Sequence, residues 1–252
     1  MLGAARKIFP AFRFVPFAVL ALMALFAAAL CGCAGSKASH NTGAAVAEVA
    51  AVPDSLRAKF KLTLMDKSGK EQELDAVLFS VPGKRYRMEL TGAMGIGVAS
   101  VLWQEEGWQV VFPTEKMYEK GAGYMVGIFS DSTIPMVHIH QVASVFEGKL
   151  LPDGYKDMGD GKAVEPNGRE FSYGKEGNDV AWIRRTGRDG KPETVRFDGF
   201  KEFEGTRVPA HVVFERNGKK YLEIQVKTVK HGQAFSLGVW RLNIPKSYQR
   251  IE

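Results

Sequence analysis

The sequence predicts a mainly β protein: an incomplete, strongly curved antiparallel β-barrel with a short helical lid inserted between two groups of strands. Short runs in which apolar and polar residues alternate recur from residue 54 onward, which is typical of strands with one buried face. Turn dipeptides such as Pro82-Gly83 and Asn217-Gly218 separate these runs, and the second favours a two-residue hairpin because both positions need a positive φ. Only residues 124–146 have the spacing of helices instead.

The alternating runs fall into two groups of five predicted strands. The first group is 60–64, 72–81, 85–90, 96–104 and 108–112. The second group is 180–185, 194–203, 209–216, 221–230 and 235–243. In several of these runs one face is apolar and the other charged, so each predicted strand has a face that can line a core.

Residues 124–146 lack the period of two. Apolar residues recur there at spacings of three and four, Pro135 suits the first turn of a helix, and Gly148 suits its end. The pattern predicts two short helices, 124–129 and 136–146. Several β-branched residues leave 136–141 open to a strand interpretation as well.

The first 32 residues predict a bacterial lipoprotein signal peptide. Arg6, Lys7 and Arg13 precede an uncharged apolar run over residues 14–30. The run ends in Leu-Cys-Gly-Cys, which resembles the lipobox, where leucine lies three positions before the cysteine that is lipidated. The resemblance implies cleavage before Cys33 and attachment of lipid to Cys33.

Two alternatives to this assignment are weaker. Cys31 fits the lipidated position poorly, because Leu30 would then occupy the place of a small residue. A transmembrane anchor is disfavoured because the run is short, contains Pro16, and ends in glycine and cysteine rather than at a charged residue.

Cleavage before Cys33 leaves 220 residues and lowers the net charge from +6 to +3. An exported chain with so mild a basic excess does not predict nucleic-acid binding; the charge indicates a solvated surface or one near anionic lipid head groups. Loss of Cys31 and lipidation of Cys33 leave no free thiol, which excludes disulfide, zinc-thiolate and cysteine-nucleophile chemistry. Residues 33–53, rich in alanine, glycine and serine, predict a lipidated flexible tether, and residues 54–252 predict one domain.

Three local patterns suggest chemistry only weakly. His138 and His140 could bind a metal if both rings lay on one side of a strand, but they diverge on a helix and lack a partner at ligand spacing, so neither a metal nor another cofactor is expected. Gly92, Gly95 and Gly97 lie between two strands, which indicates a hairpin tip rather than a dinucleotide site. No catalytic triad or carboxylate pair can be nominated, so an enzyme is a minority hypothesis.

A basic cluster surrounds the predicted turn at Asp189-Gly190. We interpret it as a solvated hairpin end, with a lipid head-group site as the alternative. Its members are Arg184, Arg185, Arg188 and Lys191.

The large apolar content of the predicted strands has two interpretations. The residues can fill an ordinary core, or a half-closed barrel can leave an apolar interior that takes acyl chains. Under the second interpretation, the strand and helix periods direct a defined set of side chains to that interior. The set is Leu62, Met88, Leu90, Val110, Phe112, Val142 and Phe146.

The segment 84–95, Lys-Arg-Tyr-Arg-Met-Glu-Leu-Thr-Gly-Ala-Met-Gly, resembles the outer-membrane lipoprotein receptor LolB, in which an Arg-Tyr-Arg strand runs into a short loop with an exposed leucine. Residues 124–152 resemble that family's helical insertion, and 237–248 resemble its final strand. The resemblance implies an incomplete β-barrel with a helical lid and a cavity for lipoprotein acyl chains. It also implies that Met94 takes the place of the membrane-inserting leucine.

These inferences predict a monomeric, lipid-anchored protein at the periplasmic face of the outer membrane. It would receive lipoproteins from a periplasmic LolA-like carrier and help insert them into the outer-membrane lipid, without covalent chemistry. Such shielding is needed because each acyl CH₂ group exposed to water costs about 0.8 kcal/mol. Ala34 is not the aspartate that retains lipoproteins at the inner membrane of enteric bacteria, which by analogy predicts outer-membrane residence. The alternative is a structural or accessory envelope lipoprotein with the same fold and no transported cargo.

Overall fold

Six strands that follow one another in the sequence form the first strand group of the protein. The structure, a computed structural model, describes residues 54–66, 68–130, 136–187 and 190–251. Each strand pairs with the next in antiparallel register. The group consists of β1 Leu56–Met65, β2 Glu71–Val81, β3 Arg85–Thr91, β4 Gly97–Gln104, β5 Gly107–Phe112 and β6 Met117–Gly121. The predicted signal peptide, Cys33 and the predicted tether lie outside the described residues.

The described residues of the insertion after β6 contain one helix, where the sequence predicted two. Strands β7 Met125–Val126 and β8 Val137–His138 pair with each other, and helix α1 Ile139–Phe146 follows. The predicted helix 124–129 is therefore wrong, because Met125–Val126 form a strand and the buried residue Ile128 lies in an irregular segment after it. The second predicted helix, 136–146, is confirmed only from Ile139 onward, because Val137–His138 form a strand, the alternative left open for this part of the segment. The helix ends just before Gly148, whose φ is 68°.

The second strand group follows α1 and ends at β17. Its strands are β9 Lys156–Gly159, β10 Lys162–Val164, β11 Glu170–Glu176, β12 Asp179–Thr186, β13 Pro192–Asp198, β14 Lys201–Phe203, β15 Thr206–Val208, β16 His211–Arg216 and β17 Lys219–His231. The predicted strand 194–203 is interrupted at Gly199, whose φ is 62°, and β14 pairs only with β15 in a small separate sheet. A last short strand, β18 Gln249–Arg250, lies near the C-terminus.

One open, curved sheet joins both groups and confirms the predicted fold class. The strand order is β18-β6-β5-β4-β3-β2-β1-β17-β16-β13-β12-β11-β10-β9. All neighbours are antiparallel except β18 and β6. The central strand β1 pairs with β2 on one side and with β17 on the other, so it connects the two groups.

The inner face, defined here as the face on which α1 packs, carries the main hydrophobic core. On β1 every second side chain, from Leu56 to Leu64, is buried in this core. The same alternation places Tyr86, Met88 and Leu90 of β3 in it. Strands of the second group contribute residues such as Ile224, so a single core crosses from one group to the other.

The C-terminal strap, residues 232–248, crosses the outer face of the first group. The sequence predicted a strand at 235–243, and this is wrong: a 3-10 turn, Leu237–Trp240, takes its place. Phe235 and Trp240 form a second buried cluster on this face together with Val81 and Leu102. The strap buries its apolar side chains by packing them on the sheet, and this burial stabilises the strap without strand pairing.

Candidate functional site

The seven residues predicted to line an acyl-chain cavity all lie in the main core. Each of them is at most 1% exposed, so the strand and helix periods directed them to the inner face as expected. Two cavities open at the surface of the second strand group, and none of the seven residues lines either one. The inner face of the first group is therefore lined by side chains that are buried in the main core.

Helix α1, hereafter the lid, covers this core. The rings of Phe146 and Phe60 lie 4.7 Å apart between centroids. Gln141 reaches the second group, where its side-chain oxygen accepts a hydrogen bond of 3.0 Å from Arg185. Five lid residues are buried: Ile139, Val142, Ala143, Val145 and Phe146. The lid thus spans between the two strand groups with an apolar underside.

Two ionisable groups lie under or beside the lid. Glu147, directly after the lid, accepts a hydrogen bond of 3.4 Å from Ser80, and burial raises the pKa of its carboxyl. Tyr86 is fully buried, its hydroxyl accepts a hydrogen bond of 2.9 Å from the Gly83 amide, and burial raises its pKa to about 12. Burial therefore disfavours the ionised form of both groups.

His138 and His140, the two histidines considered above as metal ligands, have different structural roles. His138 caps the lid, since its Nδ1 accepts a hydrogen bond of 3.2 Å from the Gln141 amide. His140 lies edge-on to Tyr86 and Tyr124 at centroid distances of 5.8 and 5.6 Å, and burial lowers its pKa. Within the described ranges, no group of three or more histidine, cysteine, aspartate or glutamate residues is arranged to hold a metal.

Exposed apolar side chains lie where the lid begins. Tyr124, Met125 and Met136 are exposed, although each is large and apolar. Tyr124 also stacks on Trp103 at 5.1 Å, and Trp103 belongs to the buried core. Sequence reasoning missed this patch because it assigned Tyr124 and Met125 to a helix. This exposed apolar patch connects the surface to the interior that the lid covers.

Met94 lies at the tip of the turn between β3 and β4, as predicted. Its side chain is 94% exposed, and its φ of 57° is in the left-handed region that favours glycine. The turn is closed by the Gly92 amide, which donates to the Ile96 carbonyl at 2.9 Å. The fold therefore holds a large apolar residue in water, in an unfavourable backbone conformation, with no packing partner to explain it.

The Arg-Tyr-Arg sequence of β3 has a structural explanation. Tyr86 points into the core, whereas Arg85 and Arg87 lie on the outer face and hold the strap. Arg87 donates to the carbonyls of Val239 and Arg241 at 2.8 and 2.9 Å, and Arg85 lies over the Trp240 ring at 4.3 Å. The sequence predicted the alternation of apolar and charged residues in β3. It did not predict that the strap would bind the charged face.

No described helix combines the length and apolar character needed to cross a membrane. The rival interpretation of residues 14–30 as a transmembrane anchor falls outside the described residues.

Comparison with solved structures identifies the fold. A LolA superfamily protein from Nitrosomonas europaea matches with a TM-score of 0.50 and 10% identity, covering 77% of this chain and 93% of that one. A DUF1329 family protein from Desulfovibrio piger matches with a TM-score of 0.50 and 11% identity, covering 75% and 90%. No protein-family model and no curated protein sequence matches. The open, curved sheet with its inserted helix is thus a LolA-like fold.

Proposed function

We propose that this protein is a lipid-anchored envelope protein that binds the acyl chains of lipoproteins beneath the lid and helps insert them into the outer membrane. The observation that carries the proposal is the inner face of the first strand group: a continuous apolar surface in an open sheet, covered there by one short amphipathic helix. A LolA-like fold and the resemblance of residues 84–95 to LolB support the same function. The proposal assigns no covalent chemistry to the chain.

Cargo binding requires the lid to leave the inner face, because its side chains occupy the space. Exposing the four large buried lid residues, Ile139, Val142, Val145 and Phe146, costs roughly 6–12 kcal/mol at about 1.5–3 kcal/mol each. Burying an acyl chain of about sixteen carbons gains roughly 13 kcal/mol at about 0.8 kcal/mol per CH₂. The two quantities are of equal order, so exchange of lid for acyl chain is close to balanced and can be reversible.

Few polar contacts oppose this movement. The lid side chains reach the sheet through the bond of Gln141 to Arg185, and Glu147 adds the longer bond to Ser80. Tyr124, Met125 and Met136 offer an apolar contact at the point where the lid begins. We infer that an acyl chain first meets these exposed residues and then displaces the lid.

Met94 completes the proposed cycle. Insertion of its side chain into the membrane interface removes exposed apolar surface from water. This couples release of cargo to contact with outer-membrane lipid. A periplasmic LolA-like carrier is the proposed donor, and lipidated Cys33 is the proposed anchor.

Crosslinking of the lid tests acyl-chain binding. A form lacking residues 1–33 contains no cysteine, so Gln141→Cys and Arg185→Cys can be joined by a bifunctional thiol reagent with a reducible spacer. We expect the crosslinked protein to lose binding of a fluorescent fatty acid and to regain it after reduction. The single variant Gln141→Cys, treated identically, is the matched control and should bind throughout. Equal binding by the crosslinked and reduced forms would contradict the proposal.

The packed interior favours a second candidate function. An envelope lipoprotein with a structural or accessory role needs no cavity, and the full burial of all seven predicted lining residues suits that role. This candidate predicts a folded protein that binds no apolar probe even when its lid is free to move. The reduced form in the crosslinking experiment makes that distinction.

A further inference from the structure

A groove of about 500 Å³ opens at the surface of strands β9–β13. Its volume lies in the range of small-molecule binding sites. The strap packs on the outer face of the first strand group, and in the described part of the chain Met158, Lys162 and Arg184 of the second group are exposed. The groove is distinct from the apolar interior under the lid, and the proposed function makes no use of it.

Two cations flank a hydroxyl group across this groove. Lys162 pairs in register with Ser172, and Ser172 pairs with Arg184, so the three residues form one row across β10, β11 and β12. Neighbouring strands lie about 4.8 Å apart, which separates the Cα atoms of Lys162 and Arg184 by roughly 10 Å. Their long side chains can therefore close on one ligand that Ser172 contacts from below.

Neither cation is neutralised by the protein. Among the described residues, no carboxylate lies within ion-pair distance of Lys162 or Arg184. Nearby arginines differ, since Arg185 pairs with Glu193 at 3.2 Å and Arg196 pairs with Glu215 at 3.3 Å. The adjacent residues Arg184 and Arg185 of the predicted basic cluster both line this groove, but Arg185 is engaged by Glu193 and Gln141, whereas Arg184 has no ion-pair partner among the described residues.

The guanidinium of Arg184 is held in place by an aromatic ring. It lies over the ring of Trp182 at 5.5 Å. Trp182 in turn packs directly on Gly174, where a Cβ atom would overlap its indole. The absence of a side chain at Gly174 therefore fixes Trp182, and Trp182 orients Arg184 toward the groove before any ligand binds.

Apolar groups complete the lining. Met158 on the edge strand β9 is 58% exposed, and Val164 and Pro192 also line the groove. Glu170 is the one carboxylate among the lining residues. Two free cations, hydroxyl groups and an apolar flank suit an anion that carries a hydrocarbon portion.

We propose that this groove binds the phosphorylated head group of an amphiphile or a soluble phosphate monoester, with Arg184 and Lys162 on the phosphate and Ser172 as a hydroxyl donor. An arginine fork and a lysine ammonium both form charge-assisted hydrogen bonds to phosphate oxygens. Met158 contacts the carbon groups next to the phosphate. This site does not depend on acyl-chain binding under the lid.

Binding can be followed in the chain that begins at residue 33, with Cys33→Ala to remove the predicted lipid anchor. The indole N–H signal of Trp182, assigned with Trp182→Phe, reports occupancy of the groove by NMR. The two probes are glycerol 3-phosphate and vesicles of phosphatidylglycerol in phosphatidylcholine, with pure phosphatidylcholine vesicles as reference. A response to glycerol 3-phosphate identifies a phosphate monoester as sufficient, and a response to anionic vesicles alone identifies a lipid head group at a surface.

Charge variants decide whether the groove is the site. We expect Lys162→Gln with Arg184→Gln to lower the affinity for the responding probe at least tenfold. The matched control, Lys59→Gln with Lys201→Gln, removes the same charge from exposed residues outside the groove and should change affinity less than twofold. Glu170→Gln should raise affinity two- to fivefold, because it removes the repulsive carboxylate. Equal losses in the two double variants, or no response to either probe, would overturn the proposal.

Discussion

The two strand groups share one sheet and one inner core, but their outer faces differ. In the first group the charged face of β3 is covered, since Arg85 and Arg87 hold the C-terminal strap. In the second group Lys162 and Arg184 occupy equivalent outward positions and are exposed, with no covering segment among the described residues. The comparison shows that alternation of apolar and charged residues has two outcomes. The charged face either binds another part of the chain or remains available to a ligand.

The largest expected contrast is between two tryptophans. Trp240 of the strap is buried against the outer face of the first group, whereas Trp182 is only half-buried on the open face of the second group. We expect Trp240→Ala to lower the free energy of unfolding by about 3–5 kcal/mol and Trp182→Ala by about 1 kcal/mol or less. Urea denaturation of both variants measures the difference. Similar losses would show that the strap does not stabilise the first group.

A smaller contrast is expected between two arginines. Arg87→Gln removes charged hydrogen bonds to strap carbonyls and should cost about 2–3 kcal/mol of unfolding free energy. Arg184→Gln removes only the contact of its guanidinium with the half-exposed Trp182 ring among the described residues, and should lower stability by less than about 1 kcal/mol. The same denaturation assay applies. A stability loss for Arg184→Gln as large as that for Arg87→Gln would contradict the assignment of an open face.

Two glutamates should respond to pH in opposite directions. Lys220 beside Glu223 lowers the pKa of that carboxyl to about 2, so its stabilisation is present above pH 4.5 and is lost as pH falls toward 2. Burial raises the pKa of Glu147, so its ionised form costs stability as pH rises above 4.5. At pH 7, Glu223→Gln should destabilise and Glu147→Gln should stabilise, each by roughly 1 kcal/mol.

Thermal unfolding between pH 2 and pH 8 checks these signs. The difference between wild type and Glu223→Gln should vanish near pH 2, and that between wild type and Glu147→Gln should vanish below pH 4.5. Destabilisation by Glu147→Gln at neutral pH would show that its carboxylate has a partner in the folded state that outweighs burial.

The smallest effect on stability is expected at Met94. Asparagine tolerates the left-handed conformation better, so Met94→Asn should leave stability unchanged or raise it by up to about 1 kcal/mol. The same variant should abolish lipoprotein transfer from a loaded carrier to liposomes while leaving cargo binding intact. Met94→Leu keeps the apolar side chain and should retain transfer. Equal transfer rates for the asparagine variant and wild type would remove Met94 from the proposed mechanism.

The sequence predicted the fold class and the buried face of each strand where the period of two was long and uninterrupted. Leu62, Met88 and Val110 lie on the inner face for that reason. The period failed over 124–129, because the few apolar residues there fit either spacing, and pairing of β7 with β8 decided the outcome. It also failed over 235–243, where packing of Phe235 on Phe79 at 5.5 Å replaces strand pairing.

The candidate site was predictable only in part. The place of Met94 between Ala93 and Gly95 in a turn predicted its exposure, but its backbone conformation follows from closure of that turn. Periodicity placed Val142 and Phe146 on the inner side of the lid, yet it could not show that their side chains fill the interior. The groove depends on pairing across β10, β11 and β12, and the sequence analysis identified neither β10 nor β11 as a strand.

The position of β1 has a geometric consequence for anchoring. Leu56 lies level with Ser80 and Tyr86, at the end of the sheet away from Met94. From that level to the Met94 turn the strands extend roughly 20–25 Å. The 20 residues 34–53 span at most roughly 70 Å. With lipid on Cys33, that length allows Met94 to reach the anchoring leaflet, whereas a linker of four residues, at most roughly 14 Å, would keep it away. Under the proposed function, the number of residues between Cys33 and β1 therefore determines whether the lipid anchor and Met94 can contact the same membrane.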